Sequence, residues 1–223
     1  MKSSYFIKHL FGSLLFFAMI FIGAGRIDYP QGLAYVAIGL FMVVINYTVL
    51  QIDPDLQKER SKPGADTKKW DKQILLLSFL ATIAMYVVAG LDSGRYHWTT
   101  EFPLSLYFIG GLATASGQLL FLVAQKQNKF FSSTVRIQTD RNHTVCDTGL
   151  YKIVRHPAYL GSLIQTLGFP LMFGSKWSII PVSFSTVLLL VRTHLEDQIL
   201  MSELNGYQEY ATKTKSKLVP GIW

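Results

Sequence analysis

A single cysteine in 223 residues, Cys146, excludes an internal disulfide and any C-x-x-C or Cys/His spacing for a metal or redox pair. The five histidines include no H-x-x-x-H pair, so no protein-bound metal is expected. Charge is scarce too. Asp, Glu, Lys and Arg make up 16% of the chain, against about 25% in an average soluble domain. The charge that remains is unbalanced, 21 Lys and Arg to 14 Asp and Glu. Those cations punctuate apolar runs instead of gathering on one polar unit, so they mark membrane topology and imply no nucleic-acid partner.

What is plentiful is hydrocarbon: half of the residues are hydrophobic. Apolar runs occupy Tyr5 to Gly25, Gly32 to Ile52, Ile74 to Leu91 and Leu104 to Ala124, with shorter ones at Ala158 to Phe173 and Trp177 to Val191. A helix of about 20 residues crosses a hydrocarbon core of about 30 Å. The first run exceeds a signal-peptide core and no A-x-A site follows it, so it is read as a retained span. The last two runs are joined only by Gly174-Ser175-Lys176 and must form a helical hairpin, in which Gly168, Pro170 and Pro181 allow a bend or an incomplete crossing. The expected fold is an all-α integral membrane protein with about six transmembrane helices, five if one half of the hairpin fails to cross. The small-residue series Gly110, Gly111, Ala113, Ala115 and Gly117 predicts close packing of the fourth helix on a neighbour.

Topology follows from the cations. With the N-terminus in the cytoplasm, six crossings leave only Arg26, Arg95 and Lys176 of the 21 Lys and Arg on the far side. Both termini and the long loop after the fourth helix are then cytoplasmic. The polar loop from Asp53 to Lys72, with Lys58-Glu59-Arg60 and Pro63-Gly64, reads as a solvated topology marker. Past the last crossing, Leu195, Ile199, Leu200, Leu204, Tyr207 and Tyr210 recur at helical spacing. They predict an amphipathic C-terminal helix lying on the membrane or folded back over the cytoplasmic loop.

The chemistry-bearing residues concentrate between Gln138 and Gly161, Q-T-D-R-N-H-T-V-C-D-T-G-L-Y-K-I-V-R-H-P-A-Y-L-G. Pro157 fixes its own φ and pushes His156 out of the α region, so a helix is expected to begin at the proline with the imidazole at its mouth. Free N–H groups beside Arg155 and His156 suit a carboxylate or another anion; the plainer reading is an ordinary loop-to-helix junction. Arg192 and Glu196, four apart, share one helical face. They either bridge each other or hold two ligands of opposite charge.

R-H-P-A-Y-L-G, followed by R-T-H-L-E-D and G-Y-Q-E-Y, resembles the isoprenylcysteine carboxyl methyltransferase family, within a wider group that includes phospholipid N-methyltransferases and, more distantly, NADPH-dependent sterol reductases. The resemblance runs from about Phe130 to the C-terminus. It covers His143-Thr144-Val145-Cys146, the turn Asp147 to Tyr151, Arg155 to Gly161, the R-x-x-x-E of Arg192 and Glu196, and Glu209-Tyr210. The acidic run after the arginine is shortened here to Glu196-Asp197, and the Gln138 to His143 connection is tight. The resemblance implies S-adenosyl-L-methionine as cofactor, lined by Gln138, His143, Thr144, Val145, Cys146, Tyr151, His156, Pro157, Ala158, Tyr159 and Glu196. It implies Arg192 as the holder of the acceptor's carboxylate, and a lipophilic or lipidated acceptor reached from the membrane. It also divides the chain into N-terminal transmembrane helices, 1–127, and a methyltransferase core, 128–223. The rival readings are phospholipid N-methylation, which Arg192 opposes through like-charge repulsion, an NADPH-dependent reductase using Arg136, Arg141 and Lys152, and a non-enzymatic scaffold.

Overall fold

The computed structural model describes residue 14, residues 16–60 and residues 67–223. The start of the first apolar run and the Pro63-Gly64 breaker lie outside the described residues. Every regular element among the described residues is helical. Residues 16–24 form α1. Helix α2 (Pro30–Ile45) ends in a π-helical turn, Asn46–Leu50. The short α3 (Pro54–Arg60) precedes α4 (Lys69–Ala89), which ends in a π-helical segment, Gly90–Tyr96. Then come α5 (Leu104–Gln127), α6 (Pro157–Phe173), α7 (Ile179–Glu203) and α8 (Tyr207–Lys213).

Helices α2 and α6 both start with proline in the first turn, where the missing N–H has no intrahelical acceptor to lose.

Among the described residues, four spans are long and apolar enough to cross a membrane: Pro30–Leu50, Lys69–Tyr96, Leu104–Gln127 and Ile179–Glu203. At 17 residues, α6 falls just short, and only part of the first run is described. The six-crossing expectation is therefore met in length for four helices. Large apolar side chains on these spans face outward, among them Phe41, Leu76, Leu112 and Val187, a surface that suits lipid.

Helix α6 lies along α5 in the most extensive interface of the molecule, and glycine makes it possible. A Cβ on Gly117 would fall 2.5 Å from the Gly161 carbonyl oxygen, one on Gly168 would fall 2.7 Å from the Ala113 Cβ, and one on Gly110 would collide with the Met172 backbone. The predicted small-residue face is thus the α5–α6 seam, except that Gly111 meets nothing within 4 Å. Helix α4 packs on α7, and Tyr35, Tyr86, Phe169 and Phe173 fill the space between helices with tilted and edge-on rings.

The hairpin turns at Gly174, whose φ of +61° and contact with the Tyr107 hydroxyl both require a residue without a side chain. At this end of the bundle, buried Asp92 accepts from the Thr99 N–H at 2.8 Å and the Ser175 hydroxyl at 2.6 Å, tying the α4 terminus to the hairpin. Neither hairpin helix is interrupted: α6 runs through Pro170, and Pro181 lies in the first turn of α7.

The C-terminal expectation needs correction. Leu195, Ile199 and Leu200 belong to α7, which continues unbroken beyond Val191 to Glu203 because no glycine or proline intervenes. The break comes at Gly206, φ +82°, and the separate helix α8 has only seven residues. It folds back: Leu204, Tyr207 and Tyr210 pack on Ala124, Tyr151 and Ala158.

Candidate functional site

At the end of the bundle opposite the hairpin turn, a cavity of about 340 Å³ opens between α5, the loop from Asn128 to Tyr151, the start of α6, and α7. Ten of the twelve residues expected at the site line it: His143, Thr144, Val145, Cys146, Tyr151, His156, Ala158, Tyr159, Arg192 and Glu196. Gln138 and Pro157 do not. Gln138 is fully buried behind the wall, where its amide donates to the Phe130 carbonyl at 2.5 Å and accepts from Arg141 Nη1 at 2.6 Å. It shapes the loop. Pro157 is buried as the first residue of α6 and sets where that helix begins.

His143 is held by the same turn. Its Nδ1 accepts from the Gln138 N–H at 3.3 Å, and its ring lies 4.6 Å from the Phe130 ring. Burial, with Arg136 and Arg141 nearby, pushes its pKa down to about 4. The imidazole is therefore neutral at physiological pH and carries its proton on Nε2. The Tyr151 hydroxyl donates to the Ala124 carbonyl at 3.3 Å, fastening the loop to the end of α5, and burial raises its pKa. Cys146 reaches the Gln127 carbonyl at 3.5 Å from Sγ, and burial raises the thiol's pKa as well.

The junction at Arg155-His156-Pro157 does receive a carboxylate, and the carboxylate is internal. Asp197 accepts from Arg155 Nε at 2.8 Å and Nη2 at 3.0 Å, from the Tyr207 hydroxyl at 3.0 Å, and lies 3.2 Å from His156 Nε2. Arg155 Nη1 donates onward to the Thr214 and Lys215 carbonyls, and the Arg155 and His156 N–H groups donate to the Ser216 and Lys217 carbonyls. Asp197 thus orients Arg155, and the Arg155-His156 junction holds the C-terminal tail. In sequence Asp197 was only one member of an acidic pair.

Arg192 and Glu196 do not bridge each other. Glu196 Oε2 accepts from the Tyr159 hydroxyl at 2.5 Å. Arg192 donates from Nε to Asp71 Oδ1 at 2.8 Å and from Nη2 to the Ser133 carbonyl at 2.9 Å, and its guanidinium lies over the Tyr159 ring at 5.4 Å. Asp71, fully buried in the first turn of α4, also accepts the Val135 N–H at 2.8 Å. Arg60, at the end of α3, lines the cavity too. Both residues come from the segment that reads as a solvated loop. An acid so close to the start of an apolar helix was the available signal for Asp71; Arg60 gave none beyond its charge. Among the described residues no three His, Cys, Asp or Glu side chains are grouped to hold a metal ion.

Residues 109–202, from the second turn of α5 to the last turn of α7, match the isoprenylcysteine carboxyl methyltransferase family. The chain is similar to protein-S-isoprenylcysteine O-methyltransferase B of Arabidopsis thaliana, 25% identical over 64% of this chain and 68% of that protein. It is similar to a probable protein-S-isoprenylcysteine O-methyltransferase of Oryza sativa subsp. indica, 27% identical over 50% and 60%. Protein-S-isoprenylcysteine O-methyltransferase of Schizosaccharomyces pombe is 31% identical over 52% of this chain and 51% of its own length. The segment that carries most of the cavity wall, His143, Tyr159, Arg192 and Glu196 included, is therefore the one similar to the isoprenylcysteine carboxyl methyltransferase family.

Proposed function

We propose that this chain is a multi-pass membrane methyltransferase that uses S-adenosylmethionine to methylate the carboxylate of a prenylcysteine-like, lipidated acceptor. The observation that carries the reading is a single cavity at the end of an apolar bundle. It joins a carboxylate, Glu196, and a cluster of aromatic rings to guanidinium groups, Arg192 and Arg60 among them. Its volume falls in the range of about 300–1,000 Å³ common for small-molecule sites.

The lining fits the cofactor. Among the lining aromatics, the rings of Tyr151 and Tyr207 suit a sulfonium cation. Glu196 and the neutral Nε2–H of His143 supply an acceptor and a donor for polar groups of a nucleoside or an amino acid. When bound, S-adenosylmethionine supplies an electrophilic methyl group on a sulfonium centre. A carboxylate acceptor is already ionised, so this chain needs no general base. Its residues align the acceptor, and Leu204, Tyr207 and Tyr210 exclude water from above. Arg192 enters this reading with its Nε already committed to Asp71. With Nη2 also held by the Ser133 carbonyl and Asp71, it offers an acceptor carboxylate positive charge and its Nη1, not the planar fork. Arg60, Arg136, Arg155 and Arg192 all line the cavity, and so much positive charge opposes a cationic amine acceptor.

The cation distribution supports a cytoplasmic cavity with both termini on that side. Arg26, Arg95 and Lys176 fall at the opposite end, where Gly25 touches the Arg95 side chain and the Lys176 N–H meets Thr99.

Calorimetry on detergent-solubilised protein tests the cofactor: S-adenosylmethionine and S-adenosylhomocysteine bind and NADPH does not. Glu196→Gln weakens binding by about 1–3 kcal/mol, the scale of a lost charge-assisted hydrogen bond. Methyl transfer to a panel of prenylated cysteine carboxylates, fatty acids and phosphatidylethanolamine tests the acceptor. Methylation confined to phosphatidylethanolamine, or binding of NADPH in place of the sulfonium cofactor, overturns the proposal.

A further inference from the structure

Arg60 differs from every other arginine at the cavity. Arg155 is paired with Asp197 and Arg192 with Asp71, each with a carboxylate oxygen at 2.8 Å, and Arg136 is paired with Glu59 and Asp140. Arg60 has no carboxylate within ion-pair distance among the described residues. Its guanidinium is bracketed instead by two rings, 4.7 Å from the Phe131 centroid and 5.6 Å from that of Phe121. Those rings meet edge-on at 5.5 Å, and the Ser133 hydroxyl holds the Arg60 carbonyl at 2.8 Å. The bracket fixes the planar group, yet its buried Nη1 has no hydrogen-bond partner among the described residues. A partly buried cation with no carboxylate beside it is costly, so the position is explained if a ligand supplies the missing anion. Burial lowers the Arg60 pKa to about 10, which still leaves it charged at neutral pH.

We propose that Arg60 is the residue that receives the acceptor's carboxylate, with Arg192 as a second, pre-neutralised cation behind it. This rests on the methyltransferase reading above and adds the acceptor-binding residue to it. The surroundings choose between the two carboxylates such a site could see, the acceptor's and that of the cofactor's amino-acid end. Phe121, Phe131 and Leu75 line the cavity with Arg60, and Phe121 and Leu75 belong to the apolar spans Leu104–Gln127 and Lys69–Tyr96. A ligand whose carboxylate meets Arg60 therefore has apolar wall beside it, which suits a lipidated acid. An ammonium-bearing amino acid needs acceptors there instead. Arg60 lies outside residues 109–202, so the family match does not assign it.

The test uses full-length protein in detergent, with Arg60→Gln and Arg60→Lys. Calorimetry with S-adenosylhomocysteine reads the cofactor site, and binding of an S-prenylated N-acetylcysteine against its uncharged carboxamide reads the acceptor site. Wild type prefers the acid. Arg60→Gln loses that preference and raises KM for the acid by roughly 10², the order expected for a positioning contact. Arg60→Lys recovers part of it, because a point charge replaces the fork. S-adenosylhomocysteine affinity stays within a few-fold in both variants. An unchanged preference for the acid in Arg60→Gln makes Arg60 a structural cation and overturns the assignment. Loss of S-adenosylhomocysteine binding in both variants also overturns it, by tying Arg60 to the cofactor's carboxylate or to folding. A wild type that binds S-adenosylhomocysteine but shows no preference for the acid strikes the carboxylate-acceptor reading itself, whatever the variants do.

Discussion

His143 is a neutral imidazole held from behind by a backbone N–H, and this gives it a measurable pH signature. Its pKa of about 4 lies below the ordinary 6.5, so the unfolded chain binds more protons than the folded one between those values. Its contribution to stability is complete above pH 6.5 and is lost as the pH falls toward 4. Melting followed in detergent across that window should show a steeper fall for the wild type than for His143→Gln. Equal slopes refute the neutral, buried assignment. Asp71 is the second residue whose role can be isolated. Its removal leaves Arg192 facing an empty partner, so Asp71→Asn should destabilise by about 3 kcal/mol, at the low end for a broken buried pair because Arg192 keeps some exposure. Asp71→Asn/Arg192→Gln should recover part of that loss; a double variant as unstable as the sum of the two single ones denies the coupling.

Among the elements, the α5–α6 seam is where sequence pattern and packing agree most closely. In lipid no hydrophobic effect drives helices together, so close backbone approach carries the association. Gly117→Val places its first added carbon 2.5 Å from the Gly161 carbonyl oxygen and should cost about 1–3 kcal/mol by overpacking. Gly111→Ala, facing open space on the same helix, should leave the melting temperature unchanged. A Gly117→Val protein as stable as Gly111→Ala would mean that the seam is not tightly closed. Because the seam aims the first turn of α6, and with it His156 and Tyr159, at the cavity, the same substitution should also weaken S-adenosylhomocysteine binding. The end of α7 shows the reverse relation between pattern and structure. Leu195 to Leu200 read as a separate amphipathic helix because their polarity differs from that of the span before them, but a polarity change does not break a helix. Gly206 does.

For the whole molecule, orientation is the testable quantity. On a Cys146→Ser background, a cysteine at Asn142 should react with impermeant reagents only from the cytoplasm, and cysteines at Ser93 and Ser175 should not. Ser175 is fully buried, so its cysteine should react only on unfolding, and Ser93 is the informative partner. Reaction of the Asn142 and Ser93 cysteines from the same side rejects the proposed alternation.

By itself the sequence determined the class of the protein, the hairpin at Gly174, the start of α6 at Pro157 and the segment that carries the site, because these rest on local rules. Hydropathy sets which segments are long and apolar enough to span, proline sets where a helix can begin, and short connections force neighbours together. One part of the cavity wall was legible for the same reason, the stretch from His143 to Tyr159 being contiguous, whereas the lining at 130–137 and at Arg60, Leu75 and Phe121 was not read as site. The pairings were decided only by tertiary structure. Arg192 meets Asp71 across 121 positions and Arg155 meets Asp197 across 42, and Arg60 comes to lie against the rings of Phe121 and Phe131. No periodicity encodes such contacts. Which charge is neutralised and which is left open depends on helix packing, through the distance between groups and the water that packing excludes.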